Sequence, residues 1–160
     1  MRTPLVMGNW KLNGTKDSVT ALVNALREPA DKAAGKAEVA VCAPAVFIGM
    51  VETLTQGSKL AYGSEDCDIH TSGAYTGENS PVMLREFGCT YAIVGHSERR
   101  DYHKESNEYV AQKYQAAQQN GLIPVLCVGE SEAQFDAGQT MDVVRDELKA
   151  VIDLCGIDSF

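Results

Sequence analysis

The segment of residues 95–100, GHSERR, carries the side chains best suited to chemistry. It follows the apolar run 91–94 (YAIV), which predicts a strand, and precedes a polar stretch that predicts a helix. His96 is therefore expected just beyond the C-terminal end of a strand, near the N–H groups that begin a helix. The positive end of a helix dipole disfavours imidazolium, so we expect a neutral ring. Such a ring donates a hydrogen bond to a carbonyl and exchanges protons with it. The alternative is a structural turn histidine.

A second group of polar residues follows the first predicted strand. Asn9 and Lys11 lie two positions apart, so on an extended chain their side chains point the same way. The Lys11 ammonium suits an anion or a developing oxyanion, and its alternative is a solvated surface lysine. Glu98 has the chemistry of an acid or base, but we favour an ion pair, for example with Lys11.

Other reactive side chains are weaker candidates. Ser97 lies in a segment that resembles a nucleophile elbow, but the second glycine of that motif is an arginine here, so we discount a nucleophile. Cys127 ends an apolar strand and is interpreted as a packed thiol. The spacing of His70, His96 and His103 is not typical of a metal site, and we expect neither a metal nor a cofactor. Five scattered cysteines without a C-x-x-C pair predict free thiols in a reducing compartment.

Composition narrows the function classes. A chain of 160 residues, 44% hydrophobic and 22% charged, suits one domain spanning residues 1–160. The net charge of −8 argues against a nucleic-acid partner, because phosphate backbones need a basic face. A small anionic substrate needs only a few local donors. The longest uncharged apolar stretch is too short to span a membrane and no signal-peptide pattern occurs, so we expect a cytoplasmic protein without a membrane partner.

Strand and helix patterns alternate five times along the chain. The predicted strands are residues 5–11, 37–43, 59–63, 90–94 and 122–128. The first predicted helix begins at Thr15 or Lys16 and closes at Pro29 and Gly35. Later helices cover residues 45–55, begin at Ser80, at Ser106 and at a Thr140 cap, and a long irregular loop covers residues 64–79.

This alternation predicts parallel strands joined by right-handed helical crossovers. An open doubly wound sheet and a (β/α)8 barrel both fit, although the glycine-rich phosphate turn usual after the first strand of the open sheet is missing. In both architectures the site lies at the C-terminal ends of the strands. The polar residues at those ends predict an α/β enzyme that binds a small carbonyl or anionic metabolite; they are Asn9, Lys11, His96, Ser97, Glu98 and Glu130.

Four segments together resemble the triosephosphate isomerase family. They are residues 8–14 (GNWKLNG), 73–78 (GAYTGE), 95–100 (GHSERR) and 124–130 (PVLCVGE), and they occur in the order of the family's motifs. The resemblance implies a homodimeric (β/α)8 barrel, of which this chain covers roughly the first five βα units. It also implies cofactor-free interconversion of dihydroxyacetone phosphate and glyceraldehyde 3-phosphate.

The resemblance assigns roles to residues at the first and fourth strands. Asn9 and Lys11 match the substrate-binding pair, with Lys11 stabilising the negative enediolate. His96 matches the neutral electrophile that hydrogen-bonds the substrate oxygens. Ser97 matches a residue that holds the catalytic carboxylate in the open site, and Glu98 matches the partner of Lys11.

The resemblance also assigns an interface and a supporting shell. Thr76 matches a residue that reaches into the neighbouring subunit's site, with Tyr75 and Glu78 beside it in the dimer contact of loop 64–79. Cys127 and Glu130 match the shell that supports the site at the fifth strand.

Two departures from the family pattern affect these expectations. Barrels of this type have about 250 residues, and the family's catalytic base, a glutamate in a motif that resembles Y-E-P-[VI]-W-A-I-G-T-G, is not found in these 160 residues. We therefore expect the N-terminal portion of an isomerase, with little activity by itself and open sheet edges at the first and fifth strands. One alternative is a non-catalytic half-barrel that holds an anion at Lys11 or pairs with another half-barrel. A second alternative is a different α/β enzyme that uses only Lys11, His96 and Glu98. Residues 63–66 (GSED) also replace two family amides by Glu65 and Asp66, which predicts like-charge repulsion at the dimer interface.

Overall fold

Five strands form one parallel sheet in the computed structural model, which describes residues 3–160. The strands follow one another in the order β1-β2-β3-β4-β5, and each pairs with the next. Their bounds are Leu5–Asn9 (β1), Glu38–Ala43 (β2), Ala61–Ser64 (β3), Tyr91–Val94 (β4) and Ile123–Leu126 (β5).

Seven helices lie along the described part of the chain. They are Lys16–Ala33 (α1), Ile48–Thr55 (α2), Pro81–Glu86 (α3), Ser97–Tyr102 (α4), Asn107–Gln119 (α5), Glu132–Asp136 (α6) and Thr140–Cys155 (α7), with short 3-10 turns at Ala45–Phe47 and Ile157–Ser159.

The consecutive strand order decides between the two architectures left open by the sequence. A doubly wound sheet reverses its order at a switch point, whereas five sequential strands with right-handed crossovers place every helix on one face. The sheet is therefore a curled half-barrel, corresponding to the first five units of a (β/α)8 barrel.

The two faces of the sheet carry separate hydrophobic cores. Alternate residues of a strand point to opposite faces, so Val41 and Val94 pack among the helices, while Cys42 and Ile93 pack on the inner face. Both sets are almost fully buried. β1 and β5 each have one neighbour in the described sheet, which confirms the two expected edges, and Ile123 on β5 is 52% exposed.

Most predicted helix starts are confirmed. Ser80 caps α3 by accepting a hydrogen bond from the Val82 N–H, and Ser106 caps α5. Of the two predicted stops of α1, Pro29 is wrong, because the helix continues through it to Ala33, whereas Gly35, with a φ of 85°, directly follows the C-cap Ala34 and is confirmed. The apolar face of α1 includes buried Ala30 beyond that proline, so packing on the sheet overrides the local preference.

The predicted cap at Thr140 is also wrong. Gln139 is the N-cap of α7, and Thr140 instead donates its hydroxyl to Glu130 Oε1 at 2.9 Å. Residues 131–136, which the sequence analysis did not resolve, form the short helix α6 with a Ser131 capping box. The loop of residues 65–79 contains neither helix nor strand, as expected.

All five cysteines are free thiols, three of them buried. Among residues 3–160, no helix is both long and apolar enough to cross a membrane.

Candidate active site

The C-terminal ends of β1, β3 and β4 open onto one cavity of about 600 Å³. Polar residues from all three strand ends line it, and two of them, Ser64 and Glu65, were not predicted as site residues. The strand-end group is Asn9, Lys11, Ser64, Glu65, His96 and Glu98.

The exit of β1 turns sharply to direct Lys11 into this cavity. The Asn9 side-chain oxygen accepts a hydrogen bond from the Lys11 backbone N–H at 3.0 Å, and Lys11 has a φ of 54°. A side chain at positive φ is uncommon and is typical of functional turns. The two residues do reach one cavity, but through this turn and not through the extended backbone that the sequence analysis assumed.

His96 is the N-cap of α4, as its position after β4 predicts. Its Nδ1 atom accepts a hydrogen bond from the Glu98 backbone N–H at 3.2 Å. An imidazole nitrogen that accepts carries no proton, so the ring proton lies on Nε2. The ring is 21% exposed. This tautomer places an N–H donor on the side of the ring opposite α4, and His96 lines the cavity.

Glu98 also holds Lys11. The Lys11 ammonium lies 2.7 Å from Glu98 Oε1, which is the ion pair favoured from the sequence. The hydrogen bond from Lys11 lowers the pKa of Glu98, so this carboxylate is ionised at neutral pH. Glu98 thus contacts His96 through its backbone N–H and Lys11 through its carboxylate.

Glu65 adds a second carboxyl group to the cavity. Burial, with a smaller contribution from the charge of Glu98, raises its pKa to about 7, and a hydrogen bond from the Lys11 backbone opposes the rise only in part. Its Oε1 atom and the hydroxyl of neighbouring Ser64 are buried without a protein partner. Both residues line the cavity, and these two atoms have no hydrogen-bond partner among residues 3–160.

Asp66 lies in a buried ionic cluster. Lys113, which is 1% exposed, contacts Asp66 at 2.7 Å and Glu105 at 2.6 Å. Arg99 contacts the same two carboxylates at 3.0 and 2.7 Å. Two cations face two anions, so the repulsion expected from Asp66 is offset within this chain.

The remaining candidates from the fourth and fifth strands lie around a separate cavity of about 290 Å³. Ser97, Cys127 and Glu130 line it together with His96, whose ring borders both cavities. Burial raises the pKa of the Cys127 thiol, in agreement with a packed residue.

Comparison with known proteins agrees with this arrangement. The family model described as triosephosphate isomerase matches residues 4–160. This chain belongs to the triosephosphate isomerase family. It is 58% identical over 159 residues to the triosephosphate isomerase of Vibrio sp. (strain ANT-300) and 54% identical to that of Psychromonas ingrahamii, and each match covers 99% of this chain and 63% of the relative. It is 50% identical over 161 residues to the enzyme of Vibrio cholerae, covering 99% of this chain and 62% of that protein. The chain thus spans less than two thirds of the length of these curated relatives.

The triosephosphate isomerase motif GAYTGE forms the tip of the long loop. The Tyr75 ring stacks on His70 with centroids 3.5 Å apart, and Glu78 donates its N–H to the Tyr75 carbonyl. Thr76 is exposed between them. None of Tyr75, Thr76 and Glu78 lines the cavity of about 600 Å³.

Several residues of this family member's site escaped the sequence analysis. Lys113 lies three positions after Val110 and directly before Tyr114, so it falls on the apolar face of α5. A lysine on an apolar helix face indicates a buried ion pair, and the sequence therefore contained this signal. Glu147 on α7 has no such signal, because its acceptor role depends on a glycine N–H 18 residues away. No group of three or more metal-binding side chains occurs among residues 3–160.

Proposed function

We propose that the protein containing this chain interconverts dihydroxyacetone phosphate and glyceraldehyde 3-phosphate. The observation that carries the proposal is the double contact of Glu98, which leaves His96 with an Nε2–H donor and places Lys11 in the same cavity. Membership of the triosephosphate isomerase family supports the choice of substrate.

The chemistry follows from these groups. Removal of a proton from the carbon beside a carbonyl places negative charge on the carbonyl oxygen. The His96 Nε2–H donates to that oxygen, and the Lys11 ammonium stabilises its charge. The hydroxyl proton of the first carbon passes to the oxygen of the second carbon, and a proton returns to the second carbon, so that the first carbon becomes the aldehyde and the conversion of ketose to aldose is complete.

The 160 residues by themselves are expected to have little or no isomerase activity. The proposal assigns them the electrophilic groups, and none of their residues matches the family's proton-abstracting glutamate. Without a positioned base the proton-transfer step loses a contribution of about 10²- to 10⁴-fold.

The loop of residues 65–79 is proposed as a contact with a second copy of the chain. Tyr75 and Thr76 are exposed, and the Tyr75 ring packs on His70 at the tip of the loop. Sedimentation equilibrium of the unmodified protein and of a Thr76→Arg variant tests this contact. A dimer that persists unchanged in the variant would contradict it.

The test of the function uses the full-length protein that contains these residues. Its turnover in both directions is measured for the unmodified protein and for the variants His96→Ala and Lys11→Met. Lys16→Met, at the exposed start of α1, is the matched control. We expect both site variants to lose activity and the control to retain it. Tight binding of inorganic phosphate without turnover would favour an anion-binding half-barrel, and activity that survives His96→Ala would contradict the role of His96.

A further inference from the structure

We infer that Arg100 is a positioning residue for His96, and that Glu147 holds Arg100 in place. The inference rests on the proposed isomerase function and adds two side chains to it. Arg100 lies on α4, one turn after His96, and Glu147 lies on α7.

Arg100 connects β4 and β5 beyond the point where their backbone pairing stops. The ladder ends at the Val94–Leu126 pair and is followed by one more hydrogen bond, from the Cys127 N–H to the Val94 carbonyl at 2.9 Å. Beyond it, Arg100 Nε donates to the Gly95 carbonyl at 2.7 Å, and Nη2 makes a longer contact of 3.4 Å with the Cys127 carbonyl. One side chain thereby continues the connection between the two strand ends.

One further hydrogen bond, to Asn107, and an ion pair with Glu147 fix the orientation of the guanidinium. Arg100 Nη1 donates to Asn107 Oδ1 at 2.6 Å, and Glu147 Oε1 lies 3.5 Å from Nε. The other oxygen of Glu147 accepts the Gly129 N–H at 2.8 Å. The Glu147 side chain is only 7% exposed, so these partners replace the water that its carboxylate would otherwise contact. The arrangement connects the ends of β4 and β5 to α5 and α7.

The close packing around Gly95 explains how the position of Arg100 affects the position of His96. Gly95 has a φ of 72°, and a Cβ there would lie 2.9 Å from Arg100 Nη2. Arg100 therefore packs directly against the backbone that precedes His96. Because His96 is the next residue, a shift of the Gly95 peptide moves the imidazole. Displacement of a catalytic group by about 1 Å can cost about 100-fold in rate.

Positioning the Gly95 peptide requires the planar guanidinium group of arginine, whose N–H donors have fixed directions. A lysine retains the charge but cannot reach Gly95, Asn107 and Cys127 in a fixed planar geometry. We expect Arg100→Lys to lower kcat by about 10- to 100-fold with KM nearly unchanged, because the Lys11 ammonium is untouched. Glu147→Gln keeps an acceptor for Gly129 but loses the charge beside Arg100, so a smaller loss of kcat is expected.

The experiment compares Arg100→Lys, Glu147→Gln and Arg145→Lys in the full-length protein. Arg145 is the matched control, because it lies on α7 in an exposed ion pair with Asp142. Steady-state kinetics are combined with ¹H–¹⁵N spectra of the imidazole rings, which report the environment of His96 without requiring turnover. The first two variants are expected to shift the His96 resonances and lower kcat, and the control to do neither.

The outcomes separate the two proposals. Loss of kcat without a shift of the His96 resonances, or a shift without loss of kcat, overturns the positioning role. If the unmodified protein shows no turnover, the proposed function fails, and the His96 spectra alone decide whether Arg100 positions the ring. If Arg100→Lys does not fold, Glu147→Gln supplies the same readout.

Discussion

The backbone N–H of Glu98 donates a hydrogen bond to Nδ1 of His96 at 3.2 Å, and this contact assigns the ring proton to Nε2. It arises because His96 is the N-cap of α4, where the first N–H groups of the helix have no intrahelical acceptor. The start of the helix therefore places a backbone N–H on Nδ1, while Oε2 of the Glu98 carboxylate lies 3.6 Å from the same nitrogen.

The first prediction separates the N–H of Glu98 from its carboxylate. Glu98→Ala and Glu98→Pro both remove the carboxylate, but only the proline also removes the N–H. We expect His96 to keep its Nε2–H tautomer in the alanine variant and to lose that preference in the proline variant. Imidazole ¹⁵N chemical shifts measure the tautomer. Identical spectra in the two variants would mean that the helix N–H does not set it.

The second prediction concerns pH and Glu65. The pKa of this carboxyl rises from 4.5 to about 7 on folding, so the folded state binds more protons than the unfolded state between these values. Stability therefore decreases as pH rises through this interval and is constant above it. Glu65→Gln removes the dependence, and the variant is expected to gain about 1 to 3 kcal/mol over the unmodified protein by neutral pH.

Urea unfolding of both forms at several values between about pH 5 and pH 8 measures this difference. Glu28→Gln is the control, because Glu28 is an exposed carboxylate on α1. A stability difference between the Glu65→Gln variant and the unmodified protein that does not change with pH would exclude the titration of Glu65 as its cause.

The sequence predicted the elements better than the contacts between them. The starts of α3 and α5 were correct, because Ser80 and Ser106 act through local hydrogen bonds. The predicted helix end at Pro29 was wrong, because the effect of this proline depends on the surface against which α1 packs.

Some features of the candidate site could likewise be predicted from local sequence, and others could not. His96 follows from a strand next to a helix, whereas the positive φ of Lys11 requires knowledge of the turn. Glu65 carries no local signal for its raised pKa, because burial between distant strand ends causes it.

The third prediction concerns the ionic cluster around Lys113. Lys113→Met leaves Asp66 and Glu105 buried with Arg99 as their shared cation, so we expect a loss of about 3 to 5 kcal/mol in the free energy of unfolding. Lys149→Met breaks an exposed pair with Asp153 and should cost about 1 kcal/mol or less. Addition of Asp66→Asn to Lys113→Met should restore part of the loss, because it removes one of the two anions that share Arg99. If the double variant is no more stable than Lys113→Met, the cost does not come from uncompensated charge.

The fourth prediction separates backbone strain from steric overlap at Gly95. Gly95 and Gly138 have almost the same φ, 72° and 71°, but a Cβ at Gly95 would lie 2.6 Å from Val110 Cγ1, whereas nothing lies within 4 Å of a Cβ at Gly138. Gly138→Ala should therefore cost only the positive-φ term of about 1 to 2 kcal/mol. Gly95→Ala should cost that term plus about 1 to 3 kcal/mol for overpacking. Denaturant unfolding of the two variants measures the difference, and equal losses would mean that Val110 and Arg100 move aside without cost. Because those side chains enclose the peptide before His96, the extra loss measures how rigidly the fold holds that residue.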